Sequence, residues 1–257
     1  MALGVIPGGA SIRRASFGYR GAPMDINPAP PRLRRAYFEC RYGQLHVHNA
    51  IPAGGGFDEQ TTLICLHAGS TSGRSFLPVS TLLATNRSVY SPDTPGCGES
   101  DGPPGALSIE GFAAAIADFI DSMRFRQIDL LGAHAGAAIA AELAIARPKV
   151  VRKVAMIGAP VLDESERRKL REQPASDGAS PGAQVIRAAL AGWKAEARLS
   201  LVKQPLLVMR PHDEFREAGA RVTKCKPDAQ VIDLPQQDER LLESQPQLVV
   251  QSLSAFL

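Results

Sequence analysis

The chain has 257 residues, 44% of them hydrophobic, and a formal net charge of +3. That length and apolar content suffice for one substantial core, most simply a single domain. The charge is too small to argue for nucleic acid, no apolar run reaches membrane-spanning length, and Cys40, Cys65, Cys97 and Cys225 form no CxxC pair, which fits reduced thiols in a cytoplasm.

Residues 1–35 carry Arg13, Arg14, Arg20, Arg32, Arg34 and Arg35 against one acid, Asp25. No apolar stretch follows Arg13-Arg14, which sets a twin-arginine export signal aside. The segment reads as an arm that is flexible or packs on the domain or a second copy, with a transit peptide as the alternative. A homodimer stays open on the same ground. Residues 36–42 and 44–51 flank Gly43 and predict a hairpin. Residues 61–66 form a buried strand pattern that ends at His67-Ala68-Gly69-Ser70, followed by a helix pattern over 75–85 and a strand over 88–91. Residues 93–100, DTPGCGES, predict a tight Gly/Pro turn, and 108–124 a helix with Ser108 as its N-cap.

The apolar run 128–131 breaks at Gly132-Ala133-His134-Ala135-Gly136 and continues as a small-residue helix over 137–147, closed by Pro148. A strand follows at 150–159. Residues 163–199 are charged, then rich in Gly, Pro and Ser, then helical around Trp193. Strands at 205–209 and 229–235 and a terminal helix over 241–257 complete the chain. Strands alternating with helices predict an α/β fold with a mainly parallel sheet covered on both faces.

The strand, Gly-flanked turn and helix at 128–147 resemble the α/β-hydrolase superfamily, whose nucleophile elbow reads G-x-S-x-G. The DTPGCGES turn resembles the same family's D-x-P-G-x-G-x-S. The resemblance covers residues 36–257 and implies an α/β-hydrolase fold, its central sheet flanked by helices, with a reduced lid at about 161–200. It also implies an oxyanion hole built from Ala135 and the loop His67, Ala68, Gly69, with Ala68 where a glycine is usual.

The chain departs from the family's triad in two places. His134 stands where the elbow serine belongs, and no histidine follows the last predicted strand, because the five are His46, His48, His67, His134 and His212. The family's acid falls on Asp213, with Asp163 as an alternative position, while Asp238 or Glu239 occupies the place of the missing histidine. Loss of a triad member costs orders of magnitude, so a Ser-His-Asp esterase is excluded. An imidazole at the elbow reaches about 2–3 Å further than a serine hydroxyl, judged from bond lengths. His134 can then bond Asp213 or Asp238 directly, as a dyad able to activate water or move a proton beside a carbonyl.

The expectation is an enzyme acting without a cofactor or metal on a small carbonyl-containing, ester-like substrate, with no nucleic-acid or membrane partner. Two alternatives stay open: a cofactor-free lyase or decarboxylase on the same site, and a silent ligand-binding homologue. Trp193 is the aromatic candidate for the substrate wall. His67 is expected to shape its loop, His212 to lie on a surface loop, and Cys97 to be a small buried residue. His46 and His48 alternate on one strand face, are expected to face solvent, and lack the further ligands a zinc site needs. Gly54–Gly56 leads into a strand rather than a helix, which leaves nucleotide binding unsupported.

Overall fold

A computed structural model describes residues 29–55, 60–172 and 180–257. The expected hairpin forms from β1 (Arg32–Cys40) and β2 (Gly43–Ile51), joined by a turn at Gly43, whose φ is 114°. β1 begins inside the arginine-rich segment, so Arg32, Arg34 and Arg35 belong to the edge strand and not to an arm. Charged side chains on an edge strand discourage pairing with another chain. The rest of the predicted arm, residues 1–28, lies outside the described residues.

After the hairpin come β3 (Thr62–Leu66), a 3-10 turn at Gly73–Phe76, α1 (Leu77–Leu83), β4 (Val89–Pro92) and α2 (Ile109–Ser122). The elbow lies between β5 (Ile128–Ala133) and α3 (Ala135–Ala146), and β6 (Val151–Ile157) follows. α4 (Glu164–Glu172), α5 (Pro181–Gly192) and α6 (Ala195–Leu199) form the insertion before β7 (Leu206–Pro211). The chain continues with α7 (Arg216–Ala220), α8 (Val222–Cys225), β8 (Gln230–Leu234), α9 (Leu241–Ser244) and α10 (Pro246–Ser254). The expected single terminal helix is two, because Pro246 brings no N–H and cannot continue a preceding helix.

Among the described residues, eight strands form one sheet in the order β1-β2-β4-β3-β5-β6-β7-β8. β1 and β2 run antiparallel and every pair from β4 onward is parallel. β3 illustrates the packing: Leu63 and Cys65 join one core with Phe76, Leu83, Leu241 and Leu253, while Ile64 and Leu66 join the other with Phe112, Ile116 and Phe119. Alternate side chains point to opposite faces, and a strand covered on both sides is apolar throughout. Burial pushes the Cys65 thiol up to about 12, and all four cysteines are free. Ser108 caps α2 as expected, accepting from the Gly111 N–H at 3.2 Å.

α3 is buried almost all round, with Ala137, Ala138, Ala140 and Ala141 fully covered. Its small side chains let it lie close to the sheet. Glu142 is the exception, an acid 3% exposed. It accepts from Arg198 Nε at 2.7 Å and from the Trp193 indole at 2.7 Å, so the buried charge is paired and hydrogen-bonded. No helix among the described residues is long and apolar enough to cross a membrane.

Candidate active site

β5 ends at Ala133, and the chain reverses at His134 (φ 50°, ψ −113°) straight into α3. This is a left-handed, strained conformation for a residue with a side chain, held because both flanks are fixed. The His134 N–H donates to Ile157 O at 2.9 Å, and Ala137 N–H to His134 O at 2.9 Å. The flanking glycines are required by close approach. A Cβ on Gly132 would come within 2.3 Å of Gly136 O, and one on Gly136 within 2.0 Å of Leu66 O.

The turn lifts the imidazole to the carboxyl ends of the strands, where Nε2 lies 2.9 Å from Asp213 Oδ2. The carboxylate can only accept, which assigns the proton to Nε2 and leaves Nδ1 as the basic nitrogen. Asp213 follows β7; its side chain is fully buried, and Oδ1 accepts the Phe215 N–H at 2.9 Å. The Phe215 ring meets the imidazole edge-on, centroids 4.9 Å apart. His134 is thus held by a hydrogen bond on one atom and an aromatic edge beside it, and its side chain keeps 16% exposure.

Asp238, the other sequence candidate, is not part of this arrangement. It is exposed, and its Oδ1 accepts the Arg240 N–H at 2.9 Å, which turns the carboxylate into its own loop. Asp163 likewise caps α4, its Oδ1 accepting the Glu166 N–H at 2.9 Å. Trp193 is not a pocket wall: it is 4% exposed and its indole is committed to Glu142, because α5 ends there and turns it towards α3. His212 is exposed, as expected for a surface loop.

His67 is fully buried. Its Nδ1–H donates to Ala68 O at 2.6 Å, and Nε2 accepts the Thr94 N–H at 2.9 Å. The ring therefore ties the loop after β3 to the turn after β4 and lines neither cavity at His134. Burial holds its pKa below the ordinary histidine value. The unfolded chain thus binds the proton more readily, and this contribution to stability is lost as pH falls below about 6.5, the unperturbed histidine value. The urea midpoint is expected to drop between about pH 7.5 and about pH 5, and His67→Asn to flatten that slope.

Two cavities meet at His134. One, of about 110 Å³, is lined by Ala68, Gly69, Ala135 and Phe215 on the sheet side and roofed by Ile186 and Leu190 of α5, with Arg187 and Glu214 as its charged members. Ala135 opens α3, so its N–H has no acceptor within the helix, and it lines this cavity together with Gly69. The other, of about 270 Å³, lies towards Glu239, Arg240 and Glu243, where the motif would have carried its histidine. Cys97 is 2% exposed and burial raises its thiol pKa, which fits a small buried residue.

Sequence reasoning missed Gly158 and Phe215. Gly158 ends β6 with φ 62°, and a Cβ there would lie 2.5 Å from His134 Cδ2 and 2.6 Å from Asp213 Oδ2. Gly158→Ala is expected to push the dyad apart, reducing kcat on the order of 100-fold, with an unfolding free energy lowered by about 1–3 kcal/mol. Steady-state kinetics and urea titration of the one variant check both numbers. The signal available was a glycine after an apolar strand, which says that space is needed but not what needs it.

The model of the alpha/beta hydrolase family matches residues 63–251. A proline iminopeptidase of Heyndrickxia coagulans is 28% identical over 144 residues, a match that spans 54% of this chain and 49% of that protein. The crystal structure of E-2-(acetamidomethylene)succinate hydrolase superposes with a TM-score of 0.73 at 18% identity, covering 88% of this chain and 99% of that one. The thioesterase domain from the curacin biosynthetic pathway does so with a TM-score of 0.68 at 16% identity, covering 86% and 98%. Identities this low in the solved structures speak for a shared fold alone, but the family model takes in most of the sheet, both signature turns and the elbow. The chain belongs to the alpha/beta hydrolase family.

Proposed function

We propose that this protein hydrolyses a small ester-like carbonyl substrate without a cofactor, using His134 as general base and Asp213 to orient it. The observation that carries the reading is the 2.9 Å contact between His134 Nε2 and Asp213 Oδ2 at the elbow. Nδ1 takes a proton from a water molecule as its oxygen attacks the carbonyl carbon. The carbonyl oxygen becomes negative and is received by the N–H groups of Ala135 and Gly69. The imidazolium is stabilised by the Asp213 carboxylate and then returns the proton to the departing alkoxide, releasing acid and alcohol. One imidazole thus serves as base and then as acid, and no covalent acyl-enzyme is needed.

The roofed cavity of about 110 Å³ favours a short acyl group, since drug-sized ligands occupy about 300 Å³ or more. The test is a panel of short-chain aryl esters with the reaction quenched and the protein weighed. Expected is turnover without a burst and without an acyl adduct. An adduct on His134 would replace the general-base step by a nucleophilic one. Absence of turnover by the folded wild type across the panel would remove ester hydrolysis and direct the search to lyase substrates or a bound ligand.

A further inference from the structure

Away from the elbow, His46 and His48 do not face solvent as the strand pattern suggested: they are 1% and 9% exposed. They project from one face of β2, rings at 81° with centroids 4.6 Å apart. The face is closed by Asp93, the residue after β4, whose N–H donates to His46 O at 2.9 Å and so continues the ladder. One ligand atom from each of His46, His48 and Asp93 lies within 4.8 Å of the others. The third ligand was unreadable in sequence because it comes from a turn 45 residues beyond His48, brought alongside by the β2–β4 pairing.

We propose that His46, His48 and Asp93 bind a divalent transition-metal ion of the zinc class. Two imidazoles and a carboxylate are a donor set such ions prefer, with room for exogenous ligands. His46 Nδ1 and Asp93 Oδ2 stand 2.9 Å apart, near the separation of two ligands on one ion, about 3.3 Å for tetrahedral zinc, and His48 brings its ligand atom to the same cluster.

The frame is fixed in advance. The His46 N–H donates to Ser100 Oγ at 2.9 Å, and Asp93 accepts from Gly73 N–H at 2.7 Å and Glu99 N–H at 3.0 Å. An adjoining cavity of about 650 Å³ gives the ion a way in; His48, Asp93 and Glu99 line it together with Arg34, Arg35 and Arg74. The ion would clamp β2 to the turn after β4.

The test is calorimetric titration of untagged, chelator-treated protein with Zn²⁺, beside His48→Gln, His46→Gln and the surface control His212→Gln. Expected is one equivalent bound by the wild type and by His212→Gln, with affinity lowered about 100-fold or more in the other two. No stoichiometric binding, or binding lost only in His212→Gln, overturns the proposal. Should the buried variants fail to fold, Co²⁺ added to the wild type decides. Strong visible bands of a four- or five-coordinate N/O site support the assignment, and the weak bands of a six-coordinate surface ion contradict it.

Discussion

Asp213→Asn is expected to lower kcat for ester hydrolysis by about 10²–10⁴-fold while KM stays nearly unchanged. The carboxylate is fully buried and reaches the reaction only through the imidazole, 2.9 Å away. An asparagine that presents its amide N–H forces the proton onto Nδ1 and takes away the basic nitrogen; one that presents its carbonyl keeps the tautomer but no longer stabilises the imidazolium. Both effects fall on the chemical step and not on substrate binding, so they appear in kcat. Unchanged kcat in a folded Asp213→Asn would mean that the imidazole does not act as a base.

His134→Ser restores the motif residue and is nonetheless expected to be no more active than His134→Ala, with kcat/KM down by about 10²–10⁴-fold. A serine hydroxyl needs a histidine to take its proton, and the chain has none to offer. His46 and His48 face Asp93, His67 is committed to Ala68 and Thr94, and His212 lies exposed on its loop. A serine hydroxyl would also fall short of the Asp213 carboxylate that the longer imidazole reaches. Parallel kcat/KM measurements on one aryl ester, together with acyl trapping in the serine variant, check the expectation.

The fold was legible because its signals are local. Gly132, Gly136 and DTPGCGES each mark a turn that few backbones allow, and the apolar runs of β3, β5 and β7 are those of strands buried on both faces. The position of His134 followed from the same turn. For its partner the sequence offered Asp213, at the family's acid position, with Asp238 in a later loop as the alternative, and in the structure backbone N–H groups separate the two. Phe215 N–H holds Asp213 towards the elbow, while Arg240 N–H holds Asp238 away from it. Trp193 and His46 misled for a similar reason. A residue's exposure depends on what the other elements bring against it, here Glu142 from α3 and Asp93 from the turn after β4.

The most direct test of the account is kcat/KM of wild type and His134→Ala, side by side, on the best short-chain aryl ester. The account predicts a loss of about 10²–10⁴-fold, the range of a removed general base, in a variant that unfolds as cooperatively as the wild type. Equal values in the two proteins would contradict it, because hydrolysis would then proceed without the imidazole at the elbow.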